Sequence, residues 1–380
     1  MNDNDDFSAL VDGTRDAVER ILAPTARDDD EAETFRRELF AELGATGLCG
    51  VATPEDWGGL GMGYLAYAHV LEEIARVSPA YAVSVAVSGL PQVILAEFGT
   101  DAQRARWMPG LAAGQLLGAF ALSEPESGSD AASLRATARR DGEGWRLDGT
   151  KFWITHGGYA DIYVVMARSG GPGPSGISAF LVPGDTPGLS FGKKEEKMGL
   201  RASPTVELIL QDVWIPAENL VGVEGGGFSV AMRALDSGRI TIAATAVGLS
   251  QAALDVATRY ACNRRQFDKP IIDHQGVGFL LADMACRVET ARLLVHKAAA
   301  LKDRGAEFST TAAMAKLVAT DNAMAVTTDA VQVLGGYGYT REYPVERMMR
   351  DAKVMQIVEG TNQIQRIVIS RALRRTVMGP

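Results

Sequence analysis

Cysteine and histidine are scarce in this chain, and their scarcity removes whole classes of chemistry. Cys49, Cys262 and Cys286 are odd in number, widely spaced and free of any paired motif. That argues against a disulfide framework or a cysteine metal centre and predicts reduced, mostly buried thiols. His69, His156, His274 and His296 include no pair at helical ligand spacing, so no metal site is expected. Basic residues are also in short supply: 38 lysines and arginines face 47 acidic residues, for a net charge of -9, a balance unsuited to nucleic acid. No apolar run has the length expected of a membrane span. The segment Met1-Asn2-Asp3-Asn4-Asp5-Asp6 is acidic where a secretory or transit signal would be basic, so a cytoplasmic protein without a membrane partner is expected. What is present, 47% hydrophobic and 22% charged residues over 380 positions, is ordinary globular composition, enough for two or three domains. A small molecule is the expected ligand.

The texture changes twice along the chain, giving domains at 1–117, 118–228 and 229–380. In the first, Phe35 to Leu43, Tyr64 to Ala75, Val83 to Phe98 and Ala102 to Ala113 carry apolar residues at helical spacing. The glycine-rich loop around Trp57 suits neither regular element. In the second, short β-prone runs at Gly118 to Leu122, Trp145 to Thr155, Ile162 to Met166, Ile177 to Val182 and Val206 to Val213 predict a small antiparallel β domain. In the third, alanine-rich stretches follow Phe228 at Ile240 to Cys262, Val277 to Lys302, Ser309 to Leu334 and Thr361 to Arg374. They predict a four-helix bundle. The fold class is therefore mostly α with a central β domain, and clefts between such layers are where cofactors sit.

Gly171-Pro172-Gly173-Pro174-Ser175-Gly176 satisfies a dinucleotide glycine fingerprint in form, but its prolines delete backbone donors and no helix follows, so it reads as a hairpin loop. The loop from Ala121 to Asp130 offers three hydroxyls and free amides, which suits a polar ring edge. Glu124 and Asp130 can equally well serve the loop's own N–H groups. In Lys151-Phe152-Trp153-Ile154-Thr155 a period of two puts Trp153 and Thr155 on one face, an indole plane beside a hydroxyl, suited to a flat heteroaromatic ring. Arg264, Arg265 and Phe267 follow one long helix and Gln332, Gly335 and Gly336 end another. Together they offer the cation and the close-approach backbone that a diphosphate requires.

Glu359-Gly360-Thr361 places a carboxylate at the mouth of a helix, after Val354, Met355, Ile357 and Val358, with Thr361 as its N-cap. Apolar walls raise a carboxyl pKa and the helix dipole lowers it, a combination suited to taking a proton from carbon. Glutamates also gather at helix N-termini for the dipole alone, so the segment by itself leaves both readings open.

From about Phe35 onward the chain resembles the acyl-CoA dehydrogenase family. Two signatures carry the likeness: Ala121-Leu-Ser-Glu-Pro-Glu-Ser-Gly-Ser-Asp130, and the run from Gln332 through Gly335-Gly336-Tyr337-Gly338, Glu342 and Arg347 to Asp351. The resemblance implies an N-terminal helical domain, a middle antiparallel β domain and a C-terminal helical bundle assembled as a homotetramer, a dimer of dimers, with FAD. It implies that Leu122, Ser123, Trp153 and Thr155 meet the flavin ring. It also implies that Arg264, Phe267, Gln332, Gly335 and Gly336 reach a neighbouring subunit's FAD, while Thr361 and Gln363 hold the adenosine end of the FAD within the subunit. Ser129, Asp236 and Arg239 match CoA-contacting positions, and Gly360 counts as substrate-binding.

The implied reaction takes a proton from the carbon next to a thioester carbonyl through Glu359 and a hydride from the next carbon to FAD, giving a trans-2-enoyl-CoA. Electrons would pass to an electron-transfer flavoprotein. Gly238 stands where some members carry an alternative base, Val358 replaces a tyrosine, and Asp268 replaces a glycine. Ala80 stands where glutaryl-CoA enzymes have arginine. The run from Asp161 to Lys194 is similar to isobutyryl-CoA enzymes and Leu235 to Ile240 to short-chain ones. A short- or medium-chain acyl-CoA, straight or branched, is the expected substrate. The alternatives are a carrier-protein-tethered acyl group, or a catalytically silent partner that keeps FAD as structure.

Overall fold

The computed structural model describes residues 3–378, so Met1 and Asn2, at the head of the acidic N-terminal segment, lie outside it. Six helices come first: α1 (Asp3–Ile21), α2 (Ala26–Glu31), α3 (Arg37–Ala45), α4 (Gly63–Val77), α5 (Pro79–Phe98) and α6 (Asp101–Ala112). Thr100 and Gln103 close a reciprocal capping box at the start of α6, satisfying two helix-end donors at once. Strands β1 (Gly118–Ala121), β2 (Thr137–Asp141), β3 (Gly144–Thr155), β4 (Ile162–Arg168), β5 (Ile177–Pro183), β6 (Leu189–Phe191), β7 (Thr205–Pro216) and β8 (Leu220–Val221) form one sheet in the order β6-β7-β3-β2-β4-β5-β8. The expected antiparallel sheet is mixed, because β1 and β2 both run parallel to β4. Residues 171–176 lie in the β4–β5 hairpin, as their prolines predict.

The last part holds α7 (Gly227–Asn263), a short hairpin of β9 (Arg265–Gln266) and β10 (Lys269–Pro270), then α8 (Gln275–Asp303), α9 (Ser309–Leu334), α10 (Gly336–Tyr339), α11 (Val345–Met355) and α12 (Asn362–Met378). The periodic stretch from Ile240 extends back to Gly227, making α7 a single helix of 37 residues.

β4 is apolar from Ile162 to Ala167 and buried on both faces. Ile162, Val164 and Met166 pack against Ile94, Met108 and Leu111 of α5 and α6, while Tyr163 and Val165 pack inside the sheet domain with Trp145 and Phe180. That alternation fastens the N-terminal helices to the sheet. A third core joins α4 and α5 to α7, α8 and α9. Two further sequence expectations fail. Only Cys49 is buried, whereas Cys262 and Cys286 are exposed. Helices α5 and α7 are also long and apolar enough to cross a membrane, although 78% of each apolar window is covered by protein.

Candidate active site

Between α11 and α12 the chain turns through two consecutive left-handed residues, Glu359 at φ 54° and Gly360 at φ 83°. Glycine tolerates this freely, whereas for Glu359 it costs roughly 1 kcal/mol, so the surroundings must hold it. Gln365 Nε2 donates to the carbonyls of Glu359 at 3.2 Å and Gly360 at 2.8 Å. Lys316 Nζ donates to the same Gly360 carbonyl at 2.9 Å. Thr361 Oγ1 accepts from the Ile364 N–H at 3.3 Å, capping α12 as its position predicts.

Glu359 as a residue is half-buried, but its Oε2 is buried and has no hydrogen-bond partner. Gly238 of α7 faces it: a methyl group there would sit 2.3 Å from Oε2 and 2.8 Å from Cδ. Burial pushes the carboxyl up to about 7, opposed by the Arg239 guanidinium and the Lys316 ammonium. The opposing influence is thus two named cations. Arg239 is buried with Nε unpartnered, and its Nη1 is committed to Asp236. An orphaned carboxylate oxygen and an orphaned guanidinium nitrogen in one interior call for a polar ligand.

On the sheet side, Lys151 Nζ is buried and donates to the Leu122 carbonyl at 3.1 Å and to Glu124 Oε1 at 2.7 Å. Glu124 also accepts from the N–H groups of Arg135 at 2.6 Å and Ala136 at 2.9 Å. Glu124 therefore serves its own loop, and Asp130 accepts from Ser133 Oγ. The Phe152 N–H donates to the Ser123 carbonyl at 2.8 Å, tying that loop to β3. The expected alternation along β3 is broken: Trp153 is left-handed at φ 63°, and the pairing with β7 slips between Lys151 and Ile154. This bulge leaves the Trp153 indole 60% exposed beside a half-buried Thr155.

The remaining candidates sit at the bundle end. Arg264 caps α7, and Phe267 and Asp268 form the β9–β10 turn at φ 51° and 63°, with Phe267 88% exposed. Tyr260 of α7 lies 6.3 Å from Tyr337, centroid to centroid, which brings the Gly335-Gly336 turn to the Arg264 end. Nothing lies within 4 Å of a Cβ built at Gly335 or Gly336. Ser123, Ser129, Thr155, Arg264, Gln332 and Gln363 make no side-chain hydrogen bond among the described residues. An exposed indole, free hydroxyls, an uncommitted arginine and open glycine backbone fit a flat heteroaromatic cofactor bearing a diphosphate. No hydrogen bond among the described residues joins the bundle-end group to the Trp153 group within one chain. Asn362 and Gln365 lie in the run that follows Glu359 but have no role assigned from sequence, and Lys316 carries no sequence motif. For Lys316, the signal is a cation on the same helical face as Ala312, Ala319 and Ala323.

Three domain families match in chain order: acyl-CoA dehydrogenase N-terminal domain at residues 4–115, middle domain at 119–213 and C-terminal domain at 225–374. An acyl-CoA dehydrogenase of Bacillus subtilis (strain 168) is 47% identical over 361 residues, 94% of this chain and 95% of its own. The structure of butyryl-CoA dehydrogenase from Megasphaera elsdenii superposes with a TM-score of 0.95 at 44% identity, covering 99% of each chain. A chain solved in work on the electron transferring flavoprotein of Acidaminococcus fermentans gives a TM-score of 0.96 at 44% identity, covering 99% of this chain and 98% of that one.

Proposed function

Since the chain belongs to the acyl-CoA dehydrogenase family of flavoprotein oxidoreductases, we propose that it desaturates a short-chain acyl-CoA, straight before branched, with Glu359 as the base. The carrying observation is the buried, unpartnered Glu359 Oε2. A carboxylate held near neutrality and stripped of solvent takes a proton from carbon more readily than a solvated one. The Glu359 N–H, which has no acceptor among the described residues, is free to polarise the thioester carbonyl. Bound FAD supplies the acceptor for the hydride leaving the neighbouring carbon. Leu122, Ser123, Trp153 and Thr155 would hold its ring, and Thr361 and Gln363 its adenosine end. Arg264, Phe267, Gln332, Gly335 and Gly336 would reach the FAD of a second subunit in a homotetramer. The exposed apolar side chains Phe267, Phe279, Leu293 and Tyr339 support that assembly. Ser129, Asp236, Arg239 and Gly360 would meet the acyl-CoA.

The short-chain reading is supported by the likeness to butyryl-CoA dehydrogenase, and an electron-transfer flavoprotein as acceptor by the likeness to the Acidaminococcus fermentans chain. Anaerobic mixing of the yellow protein with acyl-CoA thioesters of graded length and branching tests the proposal. Flavin bleaching should be fastest with short straight chains. No bleaching by any thioester would overturn it in favour of a carrier-bound substrate or a silent subunit.

A further inference from the structure

Lys316 is the only charged side chain that α9 carries into the interior among the described residues. Its Nζ donates to the Gly360 carbonyl at 2.9 Å and to Asn362 Oδ1 at 2.8 Å. Asn362 is oriented in turn by Thr320 Oγ1 at 2.9 Å and Asp321 Oδ1 at 2.7 Å, both one turn further along α9. Positions 316, 320 and 321 thus lay a polar ladder under the turn that presents Glu359.

Geometry alone does not require a cation here. Gln365 already supplies the Gly360 carbonyl with a neutral donor at 2.8 Å. A buried ammonium is costly, and its cost is recovered only if its charge is used. Arg239 is the other cation facing Glu359, and it is committed to Asp236. Lys316 makes no ion pair among the described residues. Lys316 is faced by Glu359, Arg239 and Asp321. Glu359 is faced by Arg239 and Lys316.

We propose that Lys316 is a positioning residue for proton abstraction: it pins the Glu359–Gly360 turn through the Gly360 carbonyl and supplies the uncompensated positive charge that keeps the Glu359 carboxylate ionised. This rests on the reading of Glu359 as the base. Even with both cations present, burial lifts Glu359 to about 7, and burial lowers Lys316 to about 7. The two titrate as a pair. Removing the cation therefore lifts the carboxyl further, and the base is ionised only at higher pH.

The test uses flavin-loaded protein as Lys316→Met and as Lys316→Gln, the second retaining a donor for Gly360 should the first fold poorly. Turnover is measured against pH, and protonation of the Glu359 carboxyl is followed by infrared difference spectroscopy, with the band assigned by Glu359→Gln. In both variants the acidic limb of kcat and the carboxyl titration should move up together. Turnover should fall roughly fivefold at neutral pH and be largely restored in alkali. A carboxyl band that titrates as in wild type, or a loss of kcat equal at every pH, would overturn the proposal. Retained turnover in Glu359→Gln would instead remove its premise, and the infrared titration separates the two failures.

Discussion

Gly238→Ala tests the placement of Glu359 with a single methyl group. The new Cβ would lie 2.3 Å from Glu359 Oε2 and 2.8 Å from Cδ, whereas ordinary contact begins at 3.4 Å. The carboxylate, at the end of a flexible side chain, must therefore withdraw by about 1 Å, and a misplacement of that size costs a catalytic group about 10²-fold in rate, or roughly 2.7 kcal/mol of barrier. Stability should move the other way. Gly238 lies inside α7, where alanine is favoured over glycine by up to about 1 kcal/mol. The expected result is a variant that binds FAD, melts no lower than wild type and bleaches its flavin about a hundred times more slowly. Stopped-flow bleaching beside thermal unfolding measures both. Turnover within twofold of wild type would refute the placement of the reacting carbon against this carboxylate. A large fall in melting temperature would show that something stiffer than a side-chain end opposes the methyl group.

Glu359→Gln should abolish turnover and alter the pH dependence of stability. Native Glu359 keeps its proton to about 7, above its ordinary 4.5, so wild type loses stability as pH rises through that window. The glutamine variant should gain on it by up to roughly 3 kcal/mol between those limits, as read from urea midpoints at several pH values; a constant difference would contradict the raised carboxyl. Arg264→Ala should shed FAD on dilution while its subunit stays folded, because it removes a charge-assisted contact. Full flavin content at high dilution would count against that role. Adding Gly238→Glu to Glu359→Gly should partly restore activity and shift chain-length preference, since position 238 points at the space the carboxylate occupied. A double variant that binds substrate and FAD yet is no faster than Glu359→Gly would rule that out.

Helical period located α9 to the residue, because its largely apolar face continues, interrupted by Lys316, to Gly335, which ends it at φ 60°. The same period is present in α11, where Val345, Met348, Ala352 and Met355 face the core, but that stretch was read only through its motif and not as a helix. Pairing of β1 with β4 depends on which strands meet in space, and β propensity carries no direction. Trp153 was legible as an exposed aromatic but not as a left-handed bulge, since tryptophan has no intrinsic preference for φ 63°. Glu359, Gly360 and Thr361 stood out because a carboxylate, a glycine and a cap fall together. Lys316 lies 43 residues before Glu359 and is joined to it only by folding. Burial of a cation is a property of the packed chain and shows in sequence only as a break in an apolar stripe.

Helix α7 spans three tasks without a break. Gly227 lies against Ser178 and Ala179 of the sheet, Gly238 meets Glu359, and Gly248 abuts the Glu72 backbone. Arg264 follows as the C-cap residue. A rigid rod of this kind fixes phase as well as distance. Removing one residue between Gly238 and Arg264 would turn one position against the other by about 100° and draw them about 1.5 Å closer. Either Gly238 would swing away from the carboxylate or Arg264 would swing away from the diphosphate we propose it meets. Substitutions can accumulate along this rod, but single insertions and deletions cannot, so length variation among homologues of this chain should collect in the hairpins and the ends of α1 and α12 and stay out of this span.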